Sequence, residues 1–329
     1  MENQKPPFIE ENVSLKDFSA FRIGGPARFF CVIRTEEEIR NALDFAIANK
    51  LEVFVLGAGS NLLFSDRGFD GLVIKIENRG FEVNESGADF EVRVSGGVYL
   101  GKLILDLMKK EIGGLEWAAG IPATVGGAIC NNAGAGGGDT AEMVKSVRVF
   151  KMKRNPESGY LESYELSELS KESCGFSYRQ SIFKSNKDYL IIDAVFLLQK
   201  GDVAEMQKII RENLESRNKK QPLEYPNIGS IFKNPVLSER KMEEILKDYP
   251  EEKIKFTSGF IPAGWLIEQI GLKGKKIGGA MISGRHANFI VNVGDAKAED
   301  VMILISLVKQ KIRTKFNIQL KEEIEYIGF

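Results

Sequence analysis

The sequence predicts an α+β protein of two or three domains. Strand and helix patterns mix without strict alternation, and two glycine-rich runs each lie beside an apolar strand-like stretch. A length of 329 residues with 43% hydrophobic side chains supplies material for more than one core.

The first helix is expected from Thr35, where Thr35-Glu36-Glu37-Glu38 forms a capping box and Ile39, Ala42, Leu43 and Ala46 recur at helical spacing. Leu51–Leu56 then reads as a strand running into the first glycine run, and Leu72–Ile76 as another. A second lobe opens after Ile76, with a strand at Glu91–Ser95 and an amphipathic helix at Leu100–Lys110 before the second glycine run. Val144–Lys151 and Tyr189–Leu198 are strands of the same lobe, and the interval from Arg148 to Glu172 is polar and expected at the surface. Helical periodicity returns at Val203–Lys219, and the prolines of Gln221–Pro226 impose an extended connection. Beyond a boundary near Asn213 lie helices at Glu239–Leu246, Ala263–Ile270 and Glu299–Phe316, a strand at Ala287–Val293, and an alternating tail at Leu320–Gly328.

The glycine runs are Leu56-Gly57-Ala58-Gly59-Ser60-Asn61-Leu62-Leu63 and Gly120-Ile121-Pro122-Ala123-Thr124-Val125-Gly126-Gly127-Ala128. Glycine lets backbone amides approach an anion closely, so together the runs read as a split phosphate cradle. The alternative is that they only shape hairpins and bulges. Leu62 stands where a Rossmann fingerprint needs its third glycine, and no Gly-Lys-Ser or Gly-Lys-Thr phosphate loop occurs, so neither of those nucleotide folds fits.

Lys plus Arg number 45 against 46 Asp plus Glu, which gives no reason to expect a nucleic-acid or membrane partner. Cys31, Cys130 and Cys174 are few and widely spaced, as free thiols of a cytoplasmic protein are. A single histidine, His286, leaves no histidine metal cluster, and no metal is expected. The opening segment lacks an apolar signal core, and the uncharged stretch from Trp117 to Gly138 is too rich in glycine and asparagine for a membrane span. The expectation is a cytoplasmic monomer with small-molecule partners.

Six polar side chains, in four places along the chain, stand out. Arg179, in Tyr178-Arg179-Gln180-Ser181, offers a planar fork for a carboxylate or enolate oxygen, or is a surface arginine. Ser230, in Gly229-Ser230-Ile231-Phe232-Lys233-Asn234-Pro235, is a proton donor if Lys233 or Lys220 favours its alkoxide, or a turn serine. Glu322, Glu323 and Glu325 alternate along the tail, and spacing alone does not choose among them. His286 is a substrate ligand or a satisfied interior imidazole.

Taken in order, Phe21-Arg22-Ile23-Gly24-Gly25-Pro26-Ala27, both glycine runs, Tyr178-Arg179, the Gly229–Pro235 segment and the tail resemble the UDP-N-acetylenolpyruvoylglucosamine reductase family over nearly the whole chain. The resemblance implies an FAD-binding fold of two α+β subdomains, vanillyl-alcohol-oxidase-like, with a smaller α+β substrate domain. The expected division is 1–76 with 313–329, then 77–212, then 213–312. It also implies noncovalent FAD, NADPH as reductant, and reduction of UDP-N-acetylglucosamine enolpyruvate to UDP-N-acetylmuramate for peptidoglycan synthesis, hence cell-wall biogenesis, cell shape and division.

Carried over residue by residue, the cofactor set is Arg22 and Gly24, then Leu56, Gly57, Ala58, Gly59, Ser60, Asn61 and Leu62, then Gly120, Ile121, Pro122, Thr124, Gly126, Gly127 and Ala128, with Asn131 and Asn132 close by. Tyr178, Lys220, Lys233, Asn234 and His286 fall where the family meets its substrate. The implied chemistry is hydride delivery from flavin N5, an enolate stabilised by Arg179 and Glu323, and a proton from Ser230. The interval from Arg179 to Lys220 is too short for the tyrosine-bearing loop of some members, so the chain resembles the shorter subclass. An FAD-dependent oxidase or hydroxy-acid dehydrogenase, and a noncatalytic nucleotide-sugar or flavin sensor, are the alternatives.

Overall fold

The computed structural model describes residues 5–251 and 259–329, so Met1–Gln4 of the segment read for a leader lie outside the described residues. The described chain groups into two units. The first runs up to Ser14 and adds Pro26–Gly59 and Phe69–Arg217; the second comprises Leu15–Gly25, Ser60–Gly68 and the chain from Asn218 to Phe329.

Two larger sheets and a short hairpin, Gly134–Ala135 with Gly138–Asp139, lie in the first unit. In one, the strands follow the order Ile9–Ser14, Pro26–Ile33, Phe69–Ile76, Val53–Leu56, antiparallel at the first pair and parallel thereafter. The helix Glu36–Ala48 supplies the crossover that parallel strands need. Its predicted cap is present: Thr35 Oγ1 accepts from Glu38 N at 3.2 Å, and the Glu38 carboxylate accepts from Thr35 N at 3.2 Å. Ile39, Ala42, Leu43 and Ala46 are buried, as their spacing predicts.

The second sheet is antiparallel, in the order Leu161–Ser170, Val144–Arg154, Tyr189–Lys200, Asp89–Ser95, Phe81–Ser86. One part of its core is formed with the helices Leu100–Met108 and Val125–Asn131. Phe150, Met152, Leu161, Leu190 and Ile192 join the core of the first sheet instead. The expectation of a surface segment from Arg148 to Glu172 is therefore corrected: it contains the end of one strand and the whole of an edge strand, with Val149, Phe150, Met152 and Leu161 buried.

In the second unit the helix Ala298–Phe316 buries Val301, Leu304, Ile305, Val308 and Ile312 along one stripe. Asp66 caps its start, accepting from Ala298 N at 3.0 Å and Glu299 N at 3.3 Å. A small antiparallel sheet orders Lys276–Ile277, Ala280–Ile282 and Ile290–Asn292, so the predicted strand at 287–293 is shorter than expected.

The grouping differs from the division expected from the sequence at both ends. The tail strand Glu325–Ile327 pairs in parallel with Leu62–Phe64, but that strand itself groups with 218–329. The helix Val203–Lys220 keeps its first part with the first unit, so the division falls after Arg217 rather than near Asn213.

Candidate active site

Within the first unit, the two glycine runs meet. The strand Val53–Leu56 ends in buried Leu56, and Gly57 follows directly. A Cβ on Gly57 would lie 2.8 Å from Thr124 Oγ1 and 3.9 Å from Gly127 N, closer to the hydroxyl than real Cβ atoms come. The glycine is there because the other run is already in that space. Thr124 caps the helix Val125–Asn131, its hydroxyl accepting from Gly127 N at 3.3 Å. Val125 N and Gly126 N donate to Val98 O and Gly96 O, both at 2.8 Å, which anchors the helix start to the loop after the strand Asp89–Ser95. Ala128 is buried in the same helix.

The predicted cofactor set divides between the units. Ala58 and Gly59 stay with Gly57, whereas Ser60, Asn61 and Leu62 belong to the second unit with Arg22 and Gly24. There Asn61 ties to the tail: its Nδ2 donates to Glu323 O at 3.2 Å, and Glu325 N donates to Asn61 O at 3.0 Å. Arg22 is exposed on left-handed backbone at φ 55°, and Gly24 is half-buried.

Asn131 and Asn132 direct their side chains at the protein. Asn131 Nδ2 donates to Gly127 O at 3.0 Å and its Oδ1 accepts from Lys184 Nζ at 2.9 Å. Buried Asn132 donates to Ser177 O at 3.0 Å and Asp139 Oδ2 at 3.3 Å, while its Oδ1 accepts from Ala141 N at 2.9 Å.

Arg179 sits in a four-residue turn closed by reciprocal 3.0 Å hydrogen bonds between Ser177 and Gln180. Its φ of 53° is one that glycine or asparagine adopts more cheaply, at a cost to arginine on the order of 1–3 kcal/mol. The guanidinium donates to Asn132 O at 3.4 Å and to Gly134 O, and lies 5.2 Å from the ring centroid of half-exposed Tyr178.

In the second unit, the segment carrying Ser230 pairs with the tail carrying Glu323 through the bridge between Phe232 and Glu322, which sets Glu323 opposite Ile231, the residue after Ser230. Glu323 N donates to Ile231 O at 2.8 Å, and Lys233 N to Lys321 O at 3.0 Å. On its other side Ser230 bridges Phe289, and Ile231 N donates to Asn288 O at 2.8 Å. The Gly229–Asn234 segment is thus clamped between the tail and the loop carrying His286. Among the described residues nothing hydrogen-bonds the Ser230 hydroxyl. Glu322, one residue before Glu323, is taken by Lys309 at 2.8 Å.

His286 Nδ1 accepts from Asn288 N at 3.2 Å, which fixes the proton on Nε2, and burial pushes its pKa below the ordinary histidine value despite the opposing charge of Glu268. Asn234 Oδ1 accepts from Ala263 N at 2.9 Å at the start of the helix Ala263–Gln269, and Lys220 is exposed.

Two cations at the cradle escaped the sequence reading. Lys75 Nζ donates to Gly57 O at 3.2 Å, and a lysine inside the apolar strand Phe69–Ile76 was a signal for it. Arg217 lies against Gly120: a Cβ there would fall 2.8 Å from Arg217 Cδ, and Gly120 adopts φ 80°. Burial holds the Arg217 pKa below the ordinary arginine value, and no ion pair to it occurs among the described residues. Trp117 Nε1 is buried without a hydrogen bond in the described structure.

The fit to a dinucleotide is good on this geometry. Two glycine runs pack together at Gly57 and Thr124 with two adjoining cations, while the helix-start amides of Val125, Gly126 and Gly127 are already taken within the protein. Among the described residues no cluster of three or more potential metal ligands occurs, and no helix is long and apolar enough to cross a membrane.

The comparisons fall on the same segments. Residues 27–153, which contain both glycine runs, match an FAD binding domain, and residues 221–327, which contain Ser230, His286 and Glu323, match the C-terminal domain of UDP-N-acetylenolpyruvoylglucosamine reductase. This bears out the expected α+β, FAD-binding fold class. A UDP-N-acetylenolpyruvoylglucosamine reductase of Synechococcus sp. (strain WH7803) is 39% identical over 323 residues, 98% of this chain and 94% of the relative. One of Lachnoclostridium phytofermentans is 36% identical over 96% of this chain and 92% of its own length. The crystal structure of UDP-N-acetylenolpyruvylglucosamine reductase from Thermus caldophilus superimposes with a TM-score of 0.73 at 28% identity, covering 98% of this chain and all (100%) of that one. Arg179 and Lys220 lie between the two domain matches and are spanned by the full-length relatives. With relatives at 36% and 39% identity over nearly the whole chain, a matching C-terminal domain and a solved structure of the same fold, the chain belongs to the UDP-N-acetylenolpyruvoylglucosamine reductase family.

Proposed function

We propose that this chain reduces UDP-N-acetylglucosamine enolpyruvate to UDP-N-acetylmuramate with NADPH and noncovalently held FAD, in peptidoglycan precursor synthesis and hence in cell-wall biogenesis, cell shape and division. The observation that supports the reading is the pairing of the Ser230 segment with the tail, in which Glu323 hydrogen-bonds Ile231, the next residue after Ser230, because a proton donor and a carboxyl group are what reduction of an enolpyruvyl ether requires. An oxidase or hydroxy-acid dehydrogenase on the same scaffold leaves that pairing without work.

When bound, FAD supplies two-electron transfer from NADPH to the vinyl terminus of the substrate. Gly57, Ala58, Gly59, Thr124, Gly126 and Gly127 form its phosphate cradle, with Lys75 and Arg217 adding positive charge. Arg179 stabilises the negative charge that develops on the enolate oxygen, from a guanidinium already aimed by two backbone carbonyls. Glu323 holds the same charge through a hydrogen bond. Ser230 gives its hydroxyl proton to the carbon bearing the carboxylate, completing saturation of the double bond, and regains a proton from water. Lys220, Lys233, Asn234, His286 and Tyr178 hold the nucleotide diphosphate, sugar and carboxylate groups.

The reading extends to a cytoplasmic monomer whose partners are small molecules, with no nucleic-acid or membrane partner. Near-balanced charge, 45 Lys plus Arg against 46 Asp plus Glu, supports the absence of a polyanionic partner, and the three free cysteines support a reducing compartment.

An anaerobic visible spectrum tests the function. Bleaching of a flavin band by NADPH, followed by its return on adding the UDP-linked enolpyruvyl sugar, is the expected result. Bleaching without return refutes the substrate, and a colourless protein that takes up no added FAD refutes the cradle.

A further inference from the structure

Asn132 touches Arg179 from two directions. Its side-chain amide donates to Ser177 O at 3.0 Å, and Ser177 opens and closes the turn that carries Arg179. Its own backbone carbonyl accepts from Arg179 Nη1 at 3.4 Å. The base and the tip of one arginine are thus held by one residue.

Asn132 is itself fixed. It caps the C-terminal end of the helix Val125–Asn131 in left-handed conformation at φ 40°, which asparagine tolerates better than most side chains. Its second amide proton goes to Asp139 Oδ2 at 3.3 Å, and its oxygen accepts from Ala141 N at 2.9 Å. Those bonds join it to the hairpin of Gly134–Ala135 and Gly138–Asp139, and Gly134 O is the other acceptor of the Arg179 guanidinium. The side chain is 1% exposed, and every donor and acceptor on it is satisfied inside the protein. It has no capacity left for a cofactor.

We infer that Asn132 is a positioning residue for Arg179, holding the strained turn and the guanidinium in one geometry, rather than a ligand of FAD. The inference rests on the role proposed for Arg179. A turn with arginine at a left-handed position relaxes unless its surroundings over-determine it, and Asn132 supplies restraint at both the turn and the guanidinium.

The test uses the FAD-loaded protein with Asn132→Gly, which keeps the left-handed backbone and removes the amide, alone and combined with Arg179→Ala. Hydrogen exchange of the Gln180 amide, which donates to Ser177 O, reads the turn without reference to turnover. Exchange faster by roughly ten-fold or more is expected. In rapid mixing, bleaching of the flavin band by NADPH should keep its rate, while its return on adding the enolpyruvyl sugar slows by roughly ten-fold or more. In the Arg179→Ala background the same change should add nothing, because a residue that acts through Arg179 has nothing left to position.

Unchanged exchange at Gln180 overturns the inference. So does loss of bound flavin or an equal slowing of both phases, since either makes Asn132 a cofactor residue, and so do effects that multiply in the double variant. Asn132→Asp keeps shape, turn preference and the acceptor for Ala141 but, ionised at about pH 8, cannot donate to Ser177. It should show the same pattern, and wild-type exchange and rates in this variant refute the role of the amide. If Arg179→Ala leaves the return of colour untouched, the function proposed for Arg179 fails, and the exchange measurement alone decides the positioning.

Discussion

Thr124 Oγ1 occupies the space a side chain on Gly57 would need, 2.8 Å from the Cβ position. The threonine caps a helix and the glycine ends a strand, so neither gives way without disturbing an element of the first unit. The two runs therefore act as one surface.

Gly57→Ala should accordingly lose cofactor before it loses fold. Overpacking of this kind costs about 1–3 kcal/mol, and the displaced wall is the one proposed to face the phosphates. The expected outcome is a folded protein, by far-UV circular dichroism, that is purified with little FAD and binds added FAD at least roughly ten-fold more weakly. Full retention of flavin would show that the runs meet for packing alone.

Ser230→Ala should separate the reaction into its parts. Flavin bleaching by NADPH should proceed at the wild-type rate, while turnover with the enolpyruvyl sugar falls roughly 10²–10⁴-fold, the range for loss of a positioned acid. Glu323→Gln should lower turnover less, because an amide still donates a hydrogen bond toward developing negative charge. Stopped-flow absorbance on both variants checks this, and equal defects in bleaching and turnover would remove both residues from proton delivery.

Much of this site was legible because its parts are local. Glycine runs, the Thr35 capping box and the Gly229–Pro235 segment carry their meaning in adjacent residues, and the family resemblance follows from their order. The strand Leu161–Ser170 was not legible, because its Leu161, Leu166 and Leu169 are spread among Glu and Ser and give no apolar run. Nor was the ion pair that engages Glu322, because Lys309 comes from an element distant along the chain. Nor does the place of Asn132 beside the glycine run tell which way its amide faces, toward Ser177 and Ala141 in the fold.

Arg217→Met should move two quantities in opposite directions. Removing a desolvated guanidinium that has no ion pair among the described residues relieves the protein free of ligand, so its melting temperature should rise or stay level. The same change removes a cation from Gly120, so affinity for FAD should fall by roughly ten-fold, corresponding to one charge-assisted hydrogen bond. Calorimetry of the flavin-free protein and titration with FAD measure the two effects. A fall in both would assign Arg217 to packing.

His286 supplies a pH dependence whose sign follows from its burial. Burial favours the neutral imidazole in the folded protein, so its folded pKa lies below the ordinary value of 6.5, with Glu268 opposing in part. The unfolded chain therefore takes up a proton on His286 at a pH where the folded chain still resists it. Stability from this group is complete above 6.5 and declines as the pH falls through the window between that value and the depressed folded one. His286→Gln cannot titrate, so the difference in melting temperature between wild type and variant should shift against the wild type from pH 7 toward about pH 5. A constant difference across that range would mean that the imidazole is as free to ionise in the fold as in the unfolded chain, and its proposed role as a neutral Nε2 donor to substrate would lose its basis.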